Sequence, residues 1–326
     1  MPADPVRYWL SDLCFTSTES LPELVPADLR LPAEIETRVE WGDDRERTAI
    51  PANPFAVWTD SDGAPWLMFD DRRSGFQLTF PDHGQFDLSA DASAVSVHPF
   101  PDTPRETMRH LLLNQVLPLA LSRRGRTVLH ASAVSYGDRV LAFIGRSGAG
   151  KSTLAVACAR AGASIVSDDC LVVYPGPDGW MAVPCHAGVR LWPEALHHFG
   201  WSEEAGAVSA HYTDKRRFAA GEAGITFEHR HLPIAAICHL TPWRLEAVAG
   251  AARSGGPGPL RGRAAVMALA SELFRLDCRD VVESRRQFEV IGAMASILPV
   301  EVPARHTPAA SAAELLCRMS MGWRKQ

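Results

Sequence analysis

Eight consecutive residues constrain this chain more than any others: Gly145-Arg146-Ser147-Gly148-Ala149-Gly150-Lys151-Ser152. They match G-x-x-x-x-G-K-[ST], the pattern of a loop that joins a buried strand to a helix and wraps phosphate. The flanks fit. Val140-Leu141-Ala142-Phe143-Ile144 is the unbroken apolar run of a strand covered on both faces, while Leu154, Val156, Ala157 and Ala161 recur on one helical face before Gly162. Glycines permit the tight turn, and backbone N–H groups and the helix dipole converge on anionic oxygens. Residues 145–153, Gly145 to Thr153, are thus the expected nucleotide contacts. Lys151 would reach the outer phosphates, and the Ser152 hydroxyl would meet Mg2+, with Thr153 as a second candidate.

Composition narrows the partners. The chain has 326 residues and a formal charge of −5, with no basic stripe, so nucleic acid is not an expected partner. Seven singly spaced cysteines, without C-x-x-C pairs, read as reduced thiols and a cytoplasmic location. No segment has the length and apolarity of a membrane span, and the first residues lack the basic and apolar regions of a signal peptide.

The texture changes along the chain. Residues 1–104 carry short alternating runs such as Phe76-Gln77-Leu78-Thr79-Phe80 between Pro, Asp and Gly, which predicts a small β-rich domain. Residues 105–124 predict a bridging helix, kinked at Pro118. Residues 125–326 form the expected nucleotide domain. It opens with a hairpin turning at Tyr136-Gly137-Asp138 and continues with a strand through Ser164–Ser167, a strand at 234–240, helices at 263–276 and 281–298, and a last helix at 309–322. Residues 254–259 are expected as a loop.

Asp168-Asp169 follows the loop by one helix and one strand, which returns the chain to the loop's mouth. With strand-like geometry the two side chains point to opposite sides. One would then hold Mg2+, with Asp169 preferred beside Ser152, and the other, Asp168, would face an acceptor hydroxyl as general base. Alone, such a pair is usually a polar turn. His130, alone, is usually a core or surface histidine. The pairs His197-His198 and His229/His231 read as surface residues, and Asp214-Lys215-Arg216-Arg217 as a solvated loop.

Leu129-His130-Ala131-Ser132-Ala133-Val134, the hairpin, the phosphate loop and Ile165-Val166-Ser167-Asp168-Asp169-Cys170 resemble, in order and spacing, the catalytic domain of HPr kinase/phosphorylase. The resemblance implies an α/β phosphate-loop kinase fold related to the phosphoenolpyruvate carboxykinase core, using ATP and Mg2+ to phosphorylate a serine of a protein or peptide. By position it makes His130 the active-site histidine, Lys151 the loop lysine and Asp168-Asp169 the aspartate pair with the base. It spans about Thr127 to Tyr174. Beyond that the family's Glu-Ile-Arg-Gly signature is missing. Gly188-Val189-Arg190-Leu191-Trp192-Pro193-Glu194 stands instead, where Arg190 is the candidate to neutralise the transferring phosphate and Glu194 reads as a helix-start carboxylate. Phosphorylase activity and HPr as acceptor are therefore not expected. The overall order, including the β-rich start and Arg-Leu-Trp-Pro, is more similar to divergent HPr-kinase-like proteins of ribosomal peptide biosynthesis, some resembling kinases of lasso-type precursor peptides.

The expectation is thus a serine kinase with a peptide or protein acceptor and an open question of homo-oligomer formation. A small-molecule kinase on the same scaffold, and a P-loop ATPase or nucleotide-binding regulator, are the alternatives.

Overall fold

The computed structural model describes residues 5–24, 26–27, 36–46, 53–60, 62–185, 188–219, 221–241, 257–304 and 307–323. It is a mixed α/β protein with several sheets. It divides into two compact units: Met1–Gly125 with Val208–Asp214 and Arg275–Cys278, and Arg126–Ala207 with Lys215–Phe274 and Arg279–Gln326. Of the loop expected at 254–259, residues 254–256 lie outside the described residues.

The first unit is built on eight strands: β1 (Val6–Leu10), β2 (Leu13–Ser17), β3 (Glu36–Trp41), β4 (Ala56–Thr59), β5 (Pro65–Arg72), β6 (Gly75–Phe80), β7 (Gly84–Ser89) and β8 (Ala94–Pro99). They lie in the order β1-β2-β3-β8-β7-β6-β5-β4. The alternation in Phe76-Gln77-Leu78-Thr79-Phe80 is chemical: Phe and Leu take one face, Gln and Thr the other. Both faces are nevertheless buried. The polar face closes on itself, with Gln77 Nε2 donating to Asp87 Oδ1 at 2.8 Å and Arg45 Nη2 to Asp87 Oδ2 at 2.9 Å. Burying Gln77 is tolerable because it is paired, and Asp87 and Arg45 stay partly exposed.

The helix expected as a bridge falls within this unit. α1 (Arg105–Leu111) passes through a π-helical turn (Leu112–Val116) into α2 (Leu117–Arg123). Met108 explains its attachment: it packs so closely over Gly84 that a Cβ there would lie 2.7 Å from its methyl carbon. Pro118 does not break the helix. It stands in the first turn of α2, directly after the wider π turn, where the Leu117 N–H reaches back to the Leu112 carbonyl.

In the second unit β9 (Thr127–Leu129), β10 (Ala131–Tyr136) and β11 (Arg139–Ile144) lead to α3 (Lys151–Arg160), followed by β12 (Ser164–Ser167), β13 (Leu171–Gly176), β14 (Gly179–Val183) and β15 (Gly188–Leu191). Then come α4 (Pro193–His198), β16 (Ala207–Ala210) and β17 (Thr213–Ala219), of which Val208–Asp214 belong to the first unit, and β18 (Leu232–His239), β19 (Gly258–Leu260), α5 (Arg263–Ala270), α6 (Val281–Ile297), β20 (Val300–Val302) and α7 (Pro308–Ser320). The main sheet runs β12-β10-β11-β18-β14-β13-β9, with β20 beside β18 and β19 beyond it; a smaller sheet runs β15-β17-β16. Along β11, Leu141 and Phe143 enter one core with α3 and α7, while Val140, Ala142 and Ile144 enter another with α5 and α6. Helices therefore cover both faces of this sheet, which is why its strands read as unbroken apolar runs.

No described helix is long and apolar enough to cross a membrane. All seven cysteines are free.

Candidate functional site

The phosphate loop connects β11 to α3, where the apolar run and the helical stripe place it. Gly145 has φ +136 and lies so close to the Leu240 carbonyl oxygen that a Cβ would collide with it. Gly148 (φ +78) and Gly150 (φ +93) take left-handed conformations, Gly150 at the N-cap of α3. Arg146, Ser147 and Gly148 are exposed, Ala149, Gly150, Ser152 and Thr153 partly buried, and Lys151 buried. Lys151 Nζ donates to the carbonyl oxygens of Gly145 (2.5 Å) and Arg146 (3.4 Å), folding back on its own loop.

The aspartates follow β12, and their geometry differs from the expected strand. Asp169 has φ +66, a left-handed value rare for a residue with a Cβ. The two side chains still diverge. Asp168 is 2% exposed; its Oδ1 accepts from Ser132 Oγ (2.5 Å) and Ser152 Oγ (2.8 Å), its Oδ2 from the Arg190 N–H (3.0 Å). Asp169 turns to the Arg190 guanidinium, which donates from Nε at 3.1 Å and from Nη2, and to His130 Nε2 at 3.5 Å. Ser152, expected beside Asp169 at a metal ion, donates here to Asp168, while the left-handed turn at Asp169 points the second carboxylate toward Arg190.

The neighbours act on the two carboxylates in opposite senses. Burial, reinforced by the adjacent Asp169, pushes the Asp168 carboxyl above the usual range, against the donors from Ser132 and Arg190. Burial acts on Asp169 too, but the Arg190 guanidinium, with help from His130 and Lys215, holds it well below that range. Such a split between adjacent carboxyls is a common property of sites that handle protons.

His130 stands where β9 ends and β10 begins. β9 pairs with β13, whereas β10 pairs with β11 and β12, so the chain changes partners at this residue. The Gly137-Asp138 turn, with Gly137 at φ +61, sets Tyr136 opposite Arg139 and thereby the register of β10. His130 N–H donates to the Glu272 carbonyl at 2.7 Å, and its Nδ1 lies 3.7 Å from Glu272 Oε2. The imidazole thus stands between two carboxylates, Asp169 and Glu272.

Three contributors escaped the sequence reading. Ser132 lay within the recognised stretch without a role. Glu272, 6% exposed, lies beyond the end of α5, inside what reads as a continuous helix from 263 to 276. Lys215 belongs to β17 rather than to a solvated loop, and its ammonium lies 5.1 Å from the Trp192 ring centroid. Burial, then Arg190, lowers the Lys215 pKa against the pull of Asp169 and Asp168. The run Thr213–Arg217 is polar throughout, so its sequence carries no alternation that would signal the strand.

Other candidates stay apart from these contacts. Glu194 is exposed in the first turn of α4, as a helix-start carboxylate. His197, His198, His229 and His231 are exposed. Among the described residues no group of three His, Cys, Asp or Glu side chains is placed to hold a metal. No family model matches the chain, and no curated protein matches it significantly.

Proposed function

We propose that this chain is an ATP- and Mg2+-dependent kinase that transfers the γ-phosphoryl group to a serine hydroxyl of a peptide or protein. The observation that carries the reading is the division of labour between the aspartates: Asp168 joins the hydroxyl of the phosphate loop, while Asp169 joins Arg190 and His130 on its other side. A loop that merely binds nucleotide has no need of the second group.

The donor set fits magnesium. Ser152 and Asp168 offer hard oxygens at the loop's mouth, and Mg2+ typically takes one or two protein oxygens and completes its shell with phosphate and water. The ion would neutralise phosphate charge there. The loop N–H groups and Lys151 bind the triphosphate, which requires Lys151 to exchange its loop carbonyls for phosphate oxygens. Asp169 orients the acceptor hydroxyl and takes its proton as the new O–P bond forms and the bond to the departing diphosphate breaks. A carboxylate of low basicity suits this step, since a loose transition state deprotonates the nucleophile late. Arg190 holds Asp169 ionised and offers charge to the moving phosphoryl group. The expected roles of Asp168 and Asp169 are thereby exchanged.

The test is transfer from γ-labelled ATP, with Mg2+, to a library of serine peptides. The reading expects phosphoserine in peptide and loss of transfer in Asp169→Asn with nucleotide binding retained. Hydrolysis at the same rate without an acceptor would replace it with a P-loop ATPase, and equal transfer to free serine would replace it with a small-molecule kinase.

A further inference from the structure

The pair β15–β17 carries three of its four cations on one side, with Arg216 set opposite Leu191 on the other. Directly opposed residues of antiparallel strands project to the same face, so the register Val189↔Phe218 and Arg190↔Arg217 sorts the pair in two. Val189, Leu191 and Phe218 are buried in the core that holds α3, which fixes their face inward. Arg190, Lys215 and Arg217 share the opposite face. At one edge Arg190 grips Asp169; at the other Lys215 lies over Trp192, a residue 42% exposed. Asp169 feels both Arg190 and Lys215, yet among the described residues no carboxylate pairs with Arg217, which is only partly buried. The whole chain carries −5, so a row of three cations beside two buried carboxylates is not a by-product of a basic composition.

Taking the kinase reading as its basis, we infer that this face receives the part of the acceptor flanking its hydroxyl, and that the flank is acidic: a peptide or protein segment with Asp or Glu beside the serine. Arg217 supplies a planar fork for a carboxylate, and Trp192 supplies an apolar platform alongside. The nucleotide's own phosphates are the other anions within the site. They would be served by Lys151 and the loop, and by Arg217 only if its loss weakens nucleotide binding.

Fluorescein-labelled serine peptides that differ only in Glu, Gln or Lys flanks test this by anisotropy at low and high salt, alongside transfer from labelled ATP. The Glu-flanked peptide should bind on the order of tenfold more tightly than the Lys-flanked one, with the advantage shrinking as salt rises. Arg217→Glu should reverse the order and Arg217→Gln abolish it, with nucleotide affinity unchanged within about twofold. Thermal unfolding of both variants controls for folding, and the Gln variant suffices if the Glu variant unfolds. Equal binding of all three peptides, an unchanged order in a folded Arg217 variant, or loss of nucleotide affinity in Arg217→Gln would overturn the inference. The two readings fail separately: charge-selective binding without transfer removes the kinase, and transfer without charge selection removes the acidic flank.

Discussion

Two regions pair a carboxylate with an arginine, and they do so differently. On the first unit's sheet, Asp87 accepts from Gln77 on the neighbouring strand and from Arg45, while Gln85 Nε2 donates to Thr79. The β6–β7 register is regular throughout. In the second unit two carboxylates stand side by side, one of them on a left-handed residue, with pKa values displaced in opposite directions. The first arrangement is architecture: Gln77 and Gln85 donate from regular strands and Arg45 from the segment after β3, with no residue of the three in a left-handed conformation. The second retains strain and like-charge repulsion that a purely structural network would shed, which is the mark of a site with chemistry to perform.

Substitution separates the two most sharply. Asp168→Asn and Asp169→Asn should each lower phosphate transfer by about three orders of magnitude in single-turnover assays, and intact transfer in either would sink the kinase assignment. Their stabilities should move apart. Asp169→Asn strips a buried guanidinium of its partner and should cost about 3 kcal/mol by denaturant unfolding. Asp168→Asn should raise the melting temperature at neutral pH, because the raised pKa means the charged form is disfavoured in the fold. The sign follows from linkage: between the ordinary carboxylate pKa and its raised folded value, Asp168 binds more protons folded than unfolded, so its contribution falls as pH rises through that window. Asp169 has the opposite sign. Its contribution is present above the ordinary carboxylate pKa and is lost as pH falls through its depressed folded value.

Glu272→Gln should have a middling effect. The imidazole would keep Asp169 on one side and lose a carboxylate on the other, so the transfer rate should drop about tenfold with nucleotide affinity retained. An unchanged rate would make Glu272 a packing residue. Smallest of all, Asp87→Asn should cost about 1 kcal/mol of stability and leave transfer unaltered. A larger loss of transfer there would erase the distinction between the regions.

What the sequence disclosed follows the range of the interactions. The phosphate loop, the Asp168-Asp169 pair and the Gly137 hairpin are local, each set by a few consecutive residues, and the structure places them where their patterns indicate. Glu272 and Lys215 were hidden for a physical reason. Glu272 is set by where α5 stops, and Lys215 by a register between β15 and β17 that spans an intervening helix and strand. The partition of the two aspartates was also hidden, since it depends on one φ angle at Asp169. In the first unit the alternation of Phe76–Phe80 was plain, but the burial of its polar side required knowing that Asp87 and Arg45 would close over it.

The change of partners at His130 carries a lesson for anyone reshaping this protein. His130 and Ser132 lie two positions apart, one reaching Asp169 and the other Asp168. The bend at His130 and the first residues of β10 therefore set both contacts together. Deleting one residue of that bend would not loosen one contact and spare the other; it would pull His130 off Asp169 and change the phase with which Ser132 enters β10. The segment is a shared gear rather than two adjustable screws. Diversity introduced by insertion belongs in the loops, whereas here only replacements that keep the count of residues preserve the mesh.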